Sequence, residues 1–285
     1  MSFETKSLGP LGIEIISFDV RQELSEADLA GLRRMVLEEG LVLFREQPLD
    51  ARAQIELGRR FGTLEVLTLD SETFDEKSIV LANVDESGKS LAQDSQTMRM
   101  LTINEGWHTD SSFRDIPAAF SLLSAMTVPE HGGDTFFASL QKGWDALSPD
   151  EQSALYGLNG IHDYPAAYRS RGVDMSDIPG FEMPMRVHPI ARRHPETGRT
   201  GLYMTEHMSG IKGQSDDESN ELLTKLLGVC THPERIYRHR WSVGDLIIWD
   251  NRSMLHRAQP LESRYPRIMH HVRVAGSEPA IAAIP

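Results

Sequence analysis

The chain has 285 residues, 40% hydrophobic and 25% charged, with a net charge of -13, a balance typical of a folded, water-soluble protein. The acidic surplus excludes a nucleic-acid partner and an anionic membrane surface, both of which need a basic face. The single cysteine, Cys230, excludes an intrachain disulfide and any cysteine-based zinc or iron–sulfur site.

No apolar core follows Met1-Ser2-Phe3-Glu4 and no run approaches membrane-spanning length, so a cytoplasmic protein is expected. Repeats, low-complexity tracts and linkers are absent, so residues 1–285 read as one domain. Homo-oligomerisation is left open. Ile13 to Asp19 alternates and predicts a strand. Ser25-Glu26-Ala27-Asp28 resembles a capping box, followed by Leu29, Leu32 and Val36 at helical spacing up to Gly40. Leu41 to Phe44 reads as a buried strand, and Asp50 caps a second helix running to Phe61-Gly62. Residues 68–104 are polar and weakly patterned, with Ser78 to Val84 as their one strand candidate; a stretch of this kind suggests a lid.

Short strands are expected from Gly106 to Phe113, Ala118 to Val128 and Asp134 to Ala138. Ser148-Pro149-Asp150-Glu151 starts a helix over 149–157, and the Pro-, Arg- and Tyr-rich residues 163–187 suggest a second lid. Val187 to Ala191 and Thr200 to Thr205 read as strands around a Pro-Glu-Thr-Gly turn. Ser215 and Glu218 open a helix expected to end at Gly228, and four closely spaced strands follow. Many short strands with few helices predict a mainly β fold with flanking helices, a jelly-roll or double-stranded β-helix of the cupin-like kind.

Of those last strands, Leu246-Ile247-Ile248-Trp249 is continuously apolar, a second from Ser253 to Ala258 carries His256, and a third runs from Arg267 to Val274. Alternation puts Arg267, Met269, His271 and Arg273 on one face of the third. On a strand, His108 and Asp110 would project the same way and could share one metal ion. With a distant histidine they would make a 2-His-1-carboxylate triad, which suits non-haem Fe(II). By themselves such residues are more often packed or solvated than ligating.

Four blocks raise the functional reading. Trp107-His108-Thr109-Asp110, Gly132-Gly133-Asp134-Thr135, Trp249-Asp250-Asn251-Arg252 with His256, and Arg267-Ile268-Met269-His270 resemble the Fe(II)/2-oxoglutarate-dependent dioxygenases of the taurine and 2,4-dichlorophenoxyacetate dioxygenase family. The blocks are collinear over most of the chain, with Thr135 27 positions after His108 and Arg267 11 after His256. The resemblance implies a dioxygenase using Fe(II), 2-oxoglutarate and O2. It makes His108, Asp110 and His256 the iron ligands, with Arg267 and Thr135 on the distal carboxylate of 2-oxoglutarate. Trp249 would line the cosubstrate pocket, a role weighed evenly against core packing, and Asp250, Asn251 and Arg252 would fix the turn that presents His256. His131, His162, His188, His194, His232 and His239 lie in no motif and are read as surface or packing residues.

On the substrate side, Asn104 matches a contact position of the family, and His271 stands where the taurine enzymes place an arginine. Leu67 and Asp70 replace a histidine and a tyrosine. The expected partner is therefore a small organic acid, not a sulfonate. Its carboxylate would be held by His271 or Arg273 and its apolar body would lie against Leu67, Tyr164 or Tyr168, as in the aryloxyalkanoate branch. The alternative is a redox-inert metal hydrolase or isomerase on the same scaffold.

Overall fold

The computed structural model describes residues 3–65, 79–174 and 184–285, with the strand Leu246–Asp250 at the middle of the larger sheet. Its continuous apolar run arises because both faces are covered. Leu246 and Ile248 enter one apolar cluster, while Ile247 and Trp249 enter another. The seven strands lie in the order 4–7, 13–16, 41–44, 246–250, 118–127, 268–275, 79–82. Neighbours are antiparallel except Ile13–Ile16 beside Leu41–Phe44.

A three-stranded antiparallel sheet of Ile236–His239, Thr135–Ser139 and Met254–Ala258 faces it. Phe137, Tyr237 and Met254 from this side meet Leu41, Leu43, Ile247, Trp249 and Met269 from the other. Two sheets closed on a shared apolar core make the expected double-stranded β-helix. Helices Glu26–Glu39 and Ala51–Phe61 cover the outer face of the large sheet, packing Leu32, Val36, Ile55 and Phe61 onto Val42, Phe120, Ile248 and Val272. Each such side chain contributes about 1.5–3 kcal/mol by leaving water. Gly40 ends the first helix at φ 78, and a Cβ there would lie 2.6 Å from Met254 Sδ. Both conformation and space demand glycine.

Several elements differ from the sequence expectation. The first strand stops at Ile16, where Ser17 turns left-handed at φ 57. The helix Asp216–Cys230 runs through Gly228, whose Cβ position is open and whose backbone stays helical. Helices Gln96–Leu101 and Tyr164–Arg169 occupy parts of the two segments read as lids, and Leu140–Asp145 is helical without having been expected. The strand Val187 to Ala191 is two strands, Arg186–Pro189 and Ala191–Arg193, in different three-stranded sheets. Strands Asn159–His162 and Met208–Ile211, which join the first of these, were not anticipated either. Leu67 and Asp70 fall outside the described residues.

The main correction concerns Gly106 to Phe113, which is not a strand. His108 alone pairs, through two 2.9 Å backbone hydrogen bonds exchanged with His256, and the chain then turns at Ser111, φ 58. A left-handed serine costs about 1–2 kcal/mol. Tertiary bonds hold it: Ser111 Oγ donates to Glu65 Oε2 at 2.6 Å and accepts from Arg273 Nη1 at 3.1 Å.

Candidate active site

The single bridge between His108 and His256 does what a strand was expected to do. It sets the two rings 4.1 Å apart by their centroids, and the turn after it brings Asp110 to the same point. One ligating atom from each of His108, Asp110 and His256 lies within 4.8 Å of the others, and all three residues are buried. His108 Nδ1 sits 2.8 Å from the Gly106 carbonyl, so it donates there and leaves Nε2 as the free lone pair. Burial lowers the pKa of His108, with Asp110 partly opposing; burial and the neighbouring His108 hold His256 well below its ordinary value. For Asp110 burial acts upward, but His271 and His256 outweigh it and the carboxyl is held well below its usual range. Two neutral imidazoles and one carboxylate make a donor set that fits a divalent transition ion.

A buried network orients the carboxylate. Ser121 Oγ donates to Asp110 Oδ2 at 2.6 Å and accepts from Asn251 Nδ2 at 2.7 Å. Asn251 Oδ1 accepts from the Asp110 backbone N–H at 3.2 Å and from Trp249 Nε1 at 2.9 Å. Asn251 therefore does not serve the turn with its neighbours. Asp250 and Arg252 do: Asp250 accepts from Arg252 Nε and Nη2, both at 2.8 Å, and from His194 Nε2 at 2.9 Å.

The triad opens onto a cavity of about 470 Å³, lined among others by Asn104, Thr135, Trp249, Arg267, His271 and Arg273. Strand alternation over 267–273 is realised, since Arg267, His271 and Arg273 face the cavity while Val272 and Val274 enter the core behind. Arg267 is half-buried, its Nε has no partner, and burial lowers its guanidinium to about 10, partly offset by Asp134. Its backbone N–H donates to Asn83 Oδ1 at 2.7 Å. Gly133, at φ 72, lets Pro129 and Arg267 approach; a Cβ there would lie 2.6 Å from Pro129 Cγ and 3.2 Å from Arg267 Cδ. Trp249 is fully buried, 4.8 Å from the His256 ring and stacked on His271 at 5.7 Å, so it both packs the core and walls the cavity.

His271 Nε2 lies 3.4 Å from Asp110 Oδ2, and Arg273 Nε lies 3.7 Å from Glu65 Oε2. Tyr164 stacks on Phe113 at 4.2 Å and meets Tyr168 edge-on at 5.0 Å, both tyrosines lining the cavity. Sequence reasoning missed His207. It is buried in the cavity wall, stacked on His108 at 5.1 Å, and neither ring nitrogen has a hydrogen-bond partner. Burial and the neighbouring His108 hold its pKa well below the ordinary value. No local pattern marks it, nor Ser121 or Asn83.

Residues 4–274 match the family model described as taurine catabolism dioxygenase TauD, TfdA family. The chain is similar to the alpha-ketoglutarate-dependent 2,4-dichlorophenoxyacetate dioxygenase of Cupriavidus pinatubonensis, with 37% identity over 91% of this chain and 93% of that one. It is also similar to the (S)-phenoxypropionate/alpha-ketoglutarate-dioxygenase of Sphingobium herbicidovorans, 34% identical over 91% of both. A crystal structure of AAD-2 with Mn(II) and N-oxalylglycine superposes with a TM-score of 0.90 at 30% identity, covering 98% of this chain and 99% of that one. A redox-inert hydrolase or isomerase is thereby set aside. A His-Asp-His cluster on a double-stranded β-helix, matched along nearly the whole sequence, makes this chain a member of the TauD/TfdA family of Fe(II)- and 2-oxoglutarate-dependent dioxygenases.

Proposed function

We propose that the protein oxidises a small carboxylic acid of the aryloxyalkanoate type, with His108, Asp110 and His256 holding the iron and Arg267 and Thr135 receiving the distal carboxylate of 2-oxoglutarate. The observation that carries this reading is one cavity, walled by those five residues, that also presents an aromatic and apolar face (Phe113, Tyr164, Leu123) and the Arg273 guanidinium. The names of the two aryloxyalkanoate dioxygenase relatives support the substrate class. Fe(II), once bound, supplies the activation of dioxygen that is coupled to conversion of 2-oxoglutarate to succinate and carbon dioxide.

The chain's own residues do the rest. Arg267 meets a carboxylate through two parallel charge-assisted hydrogen bonds, a geometry lysine cannot copy. The aromatic face holds the apolar body of the acid and excludes water from the reacting carbon. Arg273 supplies charge for its carboxylate, and His207, with its unpartnered nitrogens, a second hydrogen bond. His271 instead orients Asp110, which it contacts. Hydroxylation of a carbon that bears an ether oxygen gives a hemiacetal, which collapses to a carbonyl compound and a phenol.

Arg267→Lys is expected to weaken 2-oxoglutarate binding by roughly 1.5–3 kcal/mol, the scale of a hydrogen bond to a charged group. Anaerobic calorimetric titration of the Fe(II) protein measures this, and an unchanged Kd contradicts the assignment. Offered aryloxyacetates and 2-aryloxypropionates under oxygen, the enzyme should release succinate and phenol in step. Arg273→Ala should raise KM for the acid at least about tenfold, the scale of a lost charged hydrogen bond, and leave KM for 2-oxoglutarate nearly unchanged. If no acid of the panel stimulates succinate formation, the substrate class is wrong while the dioxygenase assignment stands.

A further inference from the structure

Trp241 lies outside every motif that carried the functional reading, yet its indole Nε1 donates to Thr135 Oγ1 at 2.9 Å, with both residues buried. A hydroxyl has one proton and accepts through its lone pairs. With an N–H arriving on one side, the proton of Thr135 must turn to another, and Thr135 lines the cavity that Arg267 also lines. We propose that Trp241 is a positioning residue for the cosubstrate, fixing the Thr135 hydroxyl as a donor to the 2-oxoglutarate carboxylate held by Arg267. The inference rests on the roles given to Thr135 and Arg267 above.

The indole is itself held in place. His239, which pairs with Thr135 across the sheet, meets the Trp241 ring edge-on at 4.4 Å. Tyr237 Oη lies 2.9 Å from His239 Nδ1, and His239 Nε2 lies 3.1 Å from Asp245 Oδ2. That carboxylate also accepts from Arg45 Nη1 at 2.6 Å and from the Ser242 N–H at 2.8 Å. Hydrogen bonds thus run from the half-buried Arg45 through Asp245 to His239, whose ring packs edge-on against the indole that donates to Thr135. Trp241 also lines a separate cleft of about 240 Å³ with Pro129, Glu130, Arg238 and Arg240. Trp241 thus bounds that cleft, while its hydrogen-bond partner Thr135 lines the main cavity. Donor and wall are separable functions: phenylalanine keeps the wall and removes the donor.

The test is a double-mutant cycle on the Fe(II)-loaded protein, with the Kd of 2-oxoglutarate read by anaerobic calorimetry. Trp241→Phe should weaken binding about fivefold, the scale of one neutral hydrogen bond, and Thr135→Val at least as much. The double variant should be no weaker than Thr135→Val alone, because Trp241 acts only through that hydroxyl. Thr135→Ser should keep full affinity with Trp241 present and lose it in Trp241→Phe. Multiplying effects, or an unchanged Kd in Trp241→Phe while Thr135→Val is weakened, would overturn this role and leave Thr135 as a ligand. An unchanged Kd in Thr135→Val would overturn both. A second measurement needs no change at Trp241. The chain has four tryptophans, so the indole N–H region of a nitrogen-15 correlation spectrum of the Zn(II)-loaded protein is simple. The Trp241 signal should move upfield in Thr135→Val and respond to 2-oxoglutarate in the parent; a signal indifferent to both removes the proposal.

Discussion

Replacing His108, Asp110 or His256 by alanine should each abolish Fe(II)-dependent succinate formation and leave a folded protein. The three donors come from two stretches joined by one backbone bridge, and that bridge uses main-chain atoms that alanine retains. The loss therefore falls on the metal and not on the scaffold. A facial set of three donors that loses one holds the ion less tightly and presents it in the wrong geometry. Ser121→Ala supplies a graded control, since it keeps all three donors and removes the hydrogen bond to Asp110 Oδ2 together with the one accepted from Asn251 Nδ2. Loss of such an orienting partner typically costs about 10–100-fold in metal affinity or activity, and the ligand deletions should exceed it. Fe(II) titration and thermal melts of the four variants measure both quantities. Turnover at the parent rate in any of the three ligand variants removes that residue from the set.

Asp250→Ala should be among the most destabilising single changes in the molecule. Asp250 is completely buried and holds the Arg252 guanidinium through two hydrogen bonds, the Arg252 backbone N–H through a third and His194 through a fourth. His194 Nδ1 accepts from the backbone N–H groups of Glu196 and Thr197, which fixes the tautomer that donates Nε2–H to Asp250. Removing the carboxylate leaves the buried Arg252 guanidinium with Glu196 as its remaining carboxylate partner and strands an imidazole N–H, a change that costs about 3–5 kcal/mol. At about 2–4 °C per kcal/mol for large domains the melting temperature should fall by roughly 10 °C. His256 should lose its position with it, because the turn 250–253 feeds its strand. A melting temperature within about a degree of the parent would contradict this role for Asp250.

The same group sets a pH dependence. Burial raises its pKa, but Arg252 and His194 more than offset this and hold the carboxyl below the usual range. The folded state therefore binds its proton less readily than the unfolded chain. The stabilisation is complete above the unfolded value, about 3.9, and is lost only as pH falls towards the depressed folded value. Acid melts of the parent and of Asp250→Asn should thus converge at low pH.

The sequence by itself determined whatever has a local cause. Ser25, Ser148 and Ser215 each cap the helix expected of them, because a hydroxyl beside the first free N–H groups needs nothing distant. Alternation put Arg267, His271 and Arg273 on one side of a strand, and the side proved to be the cavity. The family resemblance rested on motifs that include His108, Asp110, Thr135, His256 and Arg267, and the structure brings those five residues to one cavity. Where the chain should bend was less legible. The expected strand at 106–113 gave way to one bridge and a left-handed Ser111, whose hydroxyl is held by Glu65 and Arg273, 46 and 162 residues away. His207 on His108, Ser121 on Asp110, Asn83 on Arg267 and Trp241 on Thr135 are pairings of the same kind. Each joins a functional residue to a side chain without a motif, most of them on a distant element. Such contacts exist only once the two sheets have closed and water has left the space between them, so only the tertiary structure decided them.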